Sequence, residues 1–167
     1  REALILFAAL SLIAIGLATM LNRPAQLLAI VAAGLTIAYP FVKRFVSIPQ
    51  FILGAAFGWA VPMAFAAQTG ETPELAWLTF GTAMIWAVIY DTFYAMVDRE
   101  DDLKVGVKST AILFADADRH IIGFLQLMFV VTMWLVAQRF SLGFWYYLSL
   151  AVVIGLFVHQ QRLISER

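Results

Sequence analysis

Cysteine is absent from these 167 residues, which excludes disulfides and any thiolate metal site. Charge is nearly as scarce. Lys, Arg, Asp and Glu make up 13% of the chain, and their formal charges cancel to zero. No basic tract is interleaved with aromatics, so nucleic acid is not an expected partner. The two histidines, His120 and His159, stand apart, with no second His or Cys at helical spacing to build a soft-metal site. No aspartate precedes Asp91. The opening Arg1, Glu2 and Ala3 show neither an initiator Met nor a signal-peptide layout, and are expected to continue a longer polypeptide.

What fills the chain instead is apolar sequence: 63% of residues are hydrophobic and the mean hydropathy is +0.88. Soluble domains are not built this way. Six apolar segments, at about 3–21, 25–42, 46–67, 75–97, 120–138 and 143–159, have lengths suited to crossing ~30 Å of hydrocarbon. An all-α, polytopic membrane helical bundle is therefore expected, with one membrane domain covering residues 1–167. The breaks carry turn chemistry: Asn22-Arg23-Pro24, Lys43-Arg44, Gly70 to Pro73, the polar stretch 98–119, and Arg139 to Ser141. Gly54 and Gly58 form a small-xxx-small face of the kind that lets membrane helices approach closely. Pro40, Pro49 and Pro62 mark candidate kinks or segment ends.

Short connections force antiparallel neighbours, so successive breaks alternate between the two sides of the bilayer. Nine of the eleven basic residues then share one side: Arg1, Lys43, Arg44, Arg99, Lys104, Lys108, Arg119, Arg162 and Arg167. Only Arg23 and Arg139 fall on the other. The positive-inside rule makes the crowded side cytoplasmic and places both chain ends there. A bacterial inner membrane is the expected location. Trp77, Trp134, Trp145, Tyr146 and Tyr147 lie near segment ends, as interfacial aromatics do.

On that same side an apolar helix runs into acid. Asp91, Tyr94, Asp98 and Asp102 are spaced by three, four and four residues, so they share one face for as long as the helix continues. A carboxylate at bilayer depth costs about 2.5–3.5 kcal/mol on insertion scales, so such acids usually hold an ion or a partner. Oxygen donors of this kind suit a hard divalent ion, and Mg²⁺ typically takes one or two carboxylates plus water and phosphate oxygens. Glu100 and Asp101 read as solvated loop residues. Lys43 and Lys104 could hold an anionic group beside the metal, although Lys43 and Arg44 also serve as a topology signal. Ser109 and Thr110 precede another helix-like stretch, so a hydroxyl there could cap that helix or donate to phosphate.

The string Tyr90-Asp91-Thr92-Phe93-Tyr94-Ala95-Met96-Val97-Asp98-Arg99-Glu100-Asp101-Asp102-Leu103-Lys104-Val105-Gly106-Val107-Lys108-Ser109-Thr110-Ala111 resembles the second aspartate-rich region of UbiA-type intramembrane prenyltransferases. Tyr39, Pro40, Lys43 and Arg44, followed by Gln50, Leu53 and Gly54, resemble the loop that family uses at its cytoplasmic cap. The form is most similar to the branch that prenylates 4-hydroxybenzoate in ubiquinone biosynthesis. The resemblance implies about nine membrane helices around a central cavity, with two facing aspartate-rich motifs. This chain has only the second motif and reads as the C-terminal part, with about six of those helices.

By the same resemblance, Asp98 and Asp102 bind Mg²⁺, which bridges to the diphosphate of a polyprenyl donor. Lys43, Lys104 and Ser109 contact phosphate oxygens, and Asp91, Tyr94 and Tyr39 stand at the reaction centre. Phe93 and Trp59 are candidate aromatic faces for an allylic cation. The implied reaction joins the polyprenyl group to the ring carbon beside the hydroxyl of 4-hydroxybenzoate. Membrane lipid is the surrounding partner. Rival readings are a UbiA-type enzyme with another acceptor, such as a naphthoate, haem or chlorophyll precursor; a phosphatidyl-alcohol synthase, whose paired acidic pattern is not present; and a membrane carrier, which the lysines beside the acids disfavour. The 167 residues alone are expected to lack activity.

Overall fold

The computed structural model describes residues 1–46, 48–106 and 108–165, except for the side chains of Lys43, Arg44, Val105 and Asp116. Every regular element among the described residues is helical, as long apolar runs in a bilayer require. Six stretches are long and apolar enough to cross a membrane: Glu2–Thr19, Arg23–Val42, Pro49–Thr69, Glu74–Val97, Asp118–Arg139 and Phe144–Ser165. They correspond one for one to the six predicted segments. The last runs six residues beyond the predicted end at 159, because His159, Gln160, Gln161 and Arg162 are polar without breaking a helix.

Helix α1 (Glu2–Thr19) buries no residue against the rest of the chain. Helix α2 (Arg23–Phe45) begins at Asn22, whose side chain accepts from the Ala25 N–H at 3.1 Å. The same amide donates to the carbonyl of Ala66 at 2.6 Å, which ties the start of α2 to the far end of the third segment.

That third segment is two helices, α3 (Pro49–Gly58) and α4 (Ala60–Thr69), meeting at Trp59. Pro62 explains the break: it has no N–H to donate to the Gly58 carbonyl four residues back. Gly70, at φ +79°, ends α4 in the left-handed region that glycine enters without strain.

Helix α5 (Glu74–Val97) is central, packing against α3 on one flank and α8 (Asp118–Arg139) on another. The α3 contact is close enough to need glycine. A Cβ on Gly54 would stand 2.9 Å from the Met84 carbonyl oxygen, and one on Gly58 3.1 Å from the Phe80 ring. The small-xxx-small face is therefore a packing surface. On the α8 side, Ile89, Ile122, Phe129 and Phe157 form the buried core, the last contributed by α9 (Phe144–Ser165). Two short helices, α6 (Arg99–Val105) and α7 (Thr110–Phe114), and a 3₁₀ turn at Ala115–Ala117 fill the polar stretch between α5 and α8. Outward faces carry Leu4, Phe7, Ile30, Phe57 and Leu127, an apolar exterior that suits lipid as solvent.

Candidate functional site

Asp91 lies two turns before the C-terminal end of α5 and is half-buried. Tyr39, reaching from α2, is near enough to interact with it electrostatically. One turn farther along α5, the Tyr90 hydroxyl donates to the Tyr94 hydroxyl at 3.1 Å, and the two rings lie 4.9 Å apart. Tyr94 is 55% exposed, so its phenol fronts open space beside Asp91.

The helix that would keep the acids on one face ends at Asp98. Asp98 ends α5 and begins α6, with φ −87° and ψ 3°, so Asp102 stands on a separate short helix. The one-turn relation survives the break, because the Asp102 N–H donates to the Asp98 carbonyl at 2.9 Å. The carboxylate of Asp98 also sits where the α5 carbonyls concentrate negative charge, an arrangement that a bound cation offsets. No group of three His, Cys, Asp or Glu poised for a metal occurs among the described residues. In kind, then, the donors fit a hard divalent cation; in number they supply part of a coordination shell.

Around the acids, hydrogen bonds join the chain's two polar loops. The Gln50 side-chain oxygen accepts from the Thr110 N–H at 3.2 Å, across sixty positions of sequence. The hydroxyls of Thr92 and Thr110 lie 2.9 Å apart, and Thr92 also donates to the Val88 carbonyl. Gln50, Thr92 and Thr110 are each at most 1% exposed, so this lattice is sealed. At the surface, Lys108 donates to the Phe45 carbonyl at 3.0 Å. The end of α2 and the start of α3 are thus joined to the start of α7 beside Thr92 of α5, one residue from Asp91. Gln50 was legible only as part of a resembling loop. Nothing in the sequence paired Thr92 with Thr110, eighteen residues apart.

The remaining candidates divide. Lys104 donates to Asp101 at 2.8 Å, with both side chains largely exposed. Ser109 caps α7, accepting from the Ile112 N–H at 3.4 Å; it is buried. The side chain of Lys43 lies outside the described residues. Trp59 is held elsewhere: its indole donates to the Leu28 carbonyl, and its ring meets Trp77 and Phe80 edge-on. Phe80 precedes Asp91 by eleven residues, about 16 Å along a helix, which makes Trp59 a packing residue. Phe93 packs on the α5–α8 core. Arg99, which the sequence offered only as a topology charge, pairs with Asp118 and anchors α6 to the start of α8.

Comparison with known proteins gives a consistent picture. The model of the UbiA prenyltransferase family matches residues 1–167. A 4-hydroxybenzoate octaprenyltransferase from Alkalilimnicola ehrlichii is 54% identical over the whole chain, which covers 57% of that relative. Its counterpart from Nitrosococcus oceani is 53% identical, with 59% of its length covered. One from Coxiella burnetii is 51% identical over 99% of this chain and 58% of its own. The chain therefore spans less than two thirds of the curated relatives it matches. Among solved structures, the apo structure of a UbiA homolog from Aeropyrum pernix K1 aligns with a TM-score of 0.83 and 25% identity. That alignment covers 98% of this chain and 63% of the other.

Proposed function

Because this chain belongs to the UbiA prenyltransferase family, we propose that it works as the C-terminal part of a membrane enzyme that prenylates 4-hydroxybenzoate in ubiquinone biosynthesis. The donor is a polyprenyl diphosphate. The observation that carries the reading is the set of relatives bearing the 4-hydroxybenzoate octaprenyltransferase name, 51–54% identical across essentially all of this chain. The succession of Asp91, Asp98 and Asp102 along the end of α5 and the start of α6 supports it. The enzyme sits in a bacterial inner membrane, with these acids and both ends of the chain on the cytoplasmic side, as the distribution of basic residues favours.

In this reading Asp98 and Asp102 would hold Mg²⁺, as part of its set of carboxylate ligands. The ion supplies charge neutralisation for the diphosphate leaving group. Lys104 exchanges its exposed partner Asp101 for a phosphate oxygen, and Lys43, in the last turn of α2, is the second cation assigned to the diphosphate. Ser109 accepts a backbone N–H at its oxygen, which leaves its O–H proton free to be donated to phosphate. The allylic C–O bond breaks with its electron pair going to the diphosphate. The ring carbon beside the acceptor's hydroxyl then bonds to the allylic carbon, and the ring proton leaves. Asp91, flanked by Tyr39 and Tyr94, takes that proton or orients the phenol. Surrounding lipid limits the access of water to the cation.

The test is Mg²⁺-dependent transfer of a radiolabelled polyprenyl group to 4-hydroxybenzoate by the whole protein in membranes. Asp98→Ala and Asp102→Ala are each expected to reduce turnover at least a hundredfold. Unchanged turnover in both overturns the assignment.

A further inference from the structure

Helices α8 and α9 run antiparallel and leave a cleft of about 420 Å³ along their seam. Its walls are apolar, with Gly123 and Leu127 from α8 and Ile154 and Val158 from α9. Both ends of chemistry meet at one mouth. Arg119, at the start of α8, and Arg162, near the end of α9, line the same cleft. Neither has an acidic partner among the described residues. Asp118, next to Arg119 in sequence, is already engaged by Arg99 and by the N–H of Arg119.

Between the arginines and the apolar trough lies a shelf of amides. Gln126, 3% exposed, donates to Gln160 at 2.9 Å and accepts from Gln161 at 2.9 Å. The Gln161 amide lines the cleft beside Gly123, one residue from Arg162, and so offers polar atoms next to the arginines. The opposite side of the seam is filled by the Trp86, Phe129 and Phe157 rings, so the cleft opens away from α5 and its acids.

We propose that this cleft binds an anionic phospholipid, with its phosphate between Arg119 and Arg162, its ester region on the Gln161 shelf and an acyl chain in the trough. The charge argues for an anion, and arginines between membrane helices at a basic face are where such headgroups dock. The trough argues for a chain attached to it, since a free phosphate would leave the apolar walls uncovered. Gly123 keeps the trough deep: a Cβ there would approach Gln161 only to 3.5 Å, and anything longer would occupy the space. The proposal rests on the membrane reading of the helices and not on the transfer reaction.

The experiment takes the whole protein, delipidated in detergent, and titrates it with phosphatidylglycerol, with phosphatidylcholine of the same chains, and with glycerol phosphate, following bound adducts by native mass spectrometry. Phosphatidylglycerol is expected to bind selectively. The pair Arg119→Gln and Arg162→Gln is expected to weaken it about thirtyfold. Leu127→Trp, which fills the trough with both arginines intact and alters a 60% exposed side chain, is expected to weaken it by a similar factor. Equal binding of the two lipids, equal binding by parent and variants, or glycerol phosphate binding as tightly as the lipid overturns the proposal. A cleft covered by other parts of the polypeptide would take up no lipid, which overturns it as well. Prenyl transfer measured alongside separates this outcome from failure of the catalytic reading.

Discussion

At the scale of single residues, Gln50 is the most consequential side chain that carries no charge. Its carbonyl oxygen satisfies the Thr110 N–H inside a sealed pocket, and a buried amide left without an acceptor costs about 1–3 kcal/mol. Gln50→Leu is therefore expected to lower the thermal midpoint of the detergent-solubilised protein by several degrees. Thr92→Val removes one of the two facing hydroxyls and leaves Thr110 without that partner, so a smaller fall is expected. A midpoint unchanged in both variants would mean that the lattice does not hold α7 in place. Of the acids, Asp91, Asp98 and Asp102 were legible from spacing because ionised oxygens in apolar sequence need a reason. The amide and hydroxyl lattice was not legible, because Gln and Thr pass without comment in any helix and only three-dimensional proximity reveals their pairing.

At the scale of elements, the contact between α3 and α5 is the least tolerant of added volume. Val at position 54 would press its branched Cβ against the Met84 carbonyl, which is backbone and cannot rotate away. Gly54→Val is expected to destabilise the protein by about 1–3 kcal/mol. It should also reduce prenyl transfer, since α3 carries Gln50 and α5 carries Asp91. Retained activity with an unaltered melting midpoint would show that the helices part without consequence. The length of the apolar runs was enough to mark six spans, yet it missed the division of the third into α3 and α4. Hydropathy is blind to a missing N–H, and only Pro62 signalled the break. The polar stretch 98–119 hid α6 and α7, because helices of seven and five residues are too short for a 3.6-residue period to register.

At the scale of the molecule, the absence of cysteine makes topology directly measurable, since any introduced thiol is the only one in this chain. Asp101→Cys and Arg162→Cys are expected to react with an impermeant maleimide from the cytoplasmic side only, and Glu71→Cys and Ser141→Cys from the opposite side only. A shared side for all four would break the six-span alternation. The isolated 167-residue chain is expected to give no detectable prenyl transfer, because α1 buries nothing and the acids supply only part of a coordination shell. Turnover by this chain alone would require a different metal site.

The Gln50–Thr110 bond also has a consequence in time. Synthesis at roughly 5–20 residues per second puts about 3–12 s between the emergence of its two ends, which lie sixty positions apart. Through that interval the Gln50 amide waits at the membrane surface with only water to satisfy it. This link thus cannot form until α5 has been made, though it precedes every contact of α8 and α9, and a molecule arrested before Thr110 has α3 in place with Gln50 unpaired.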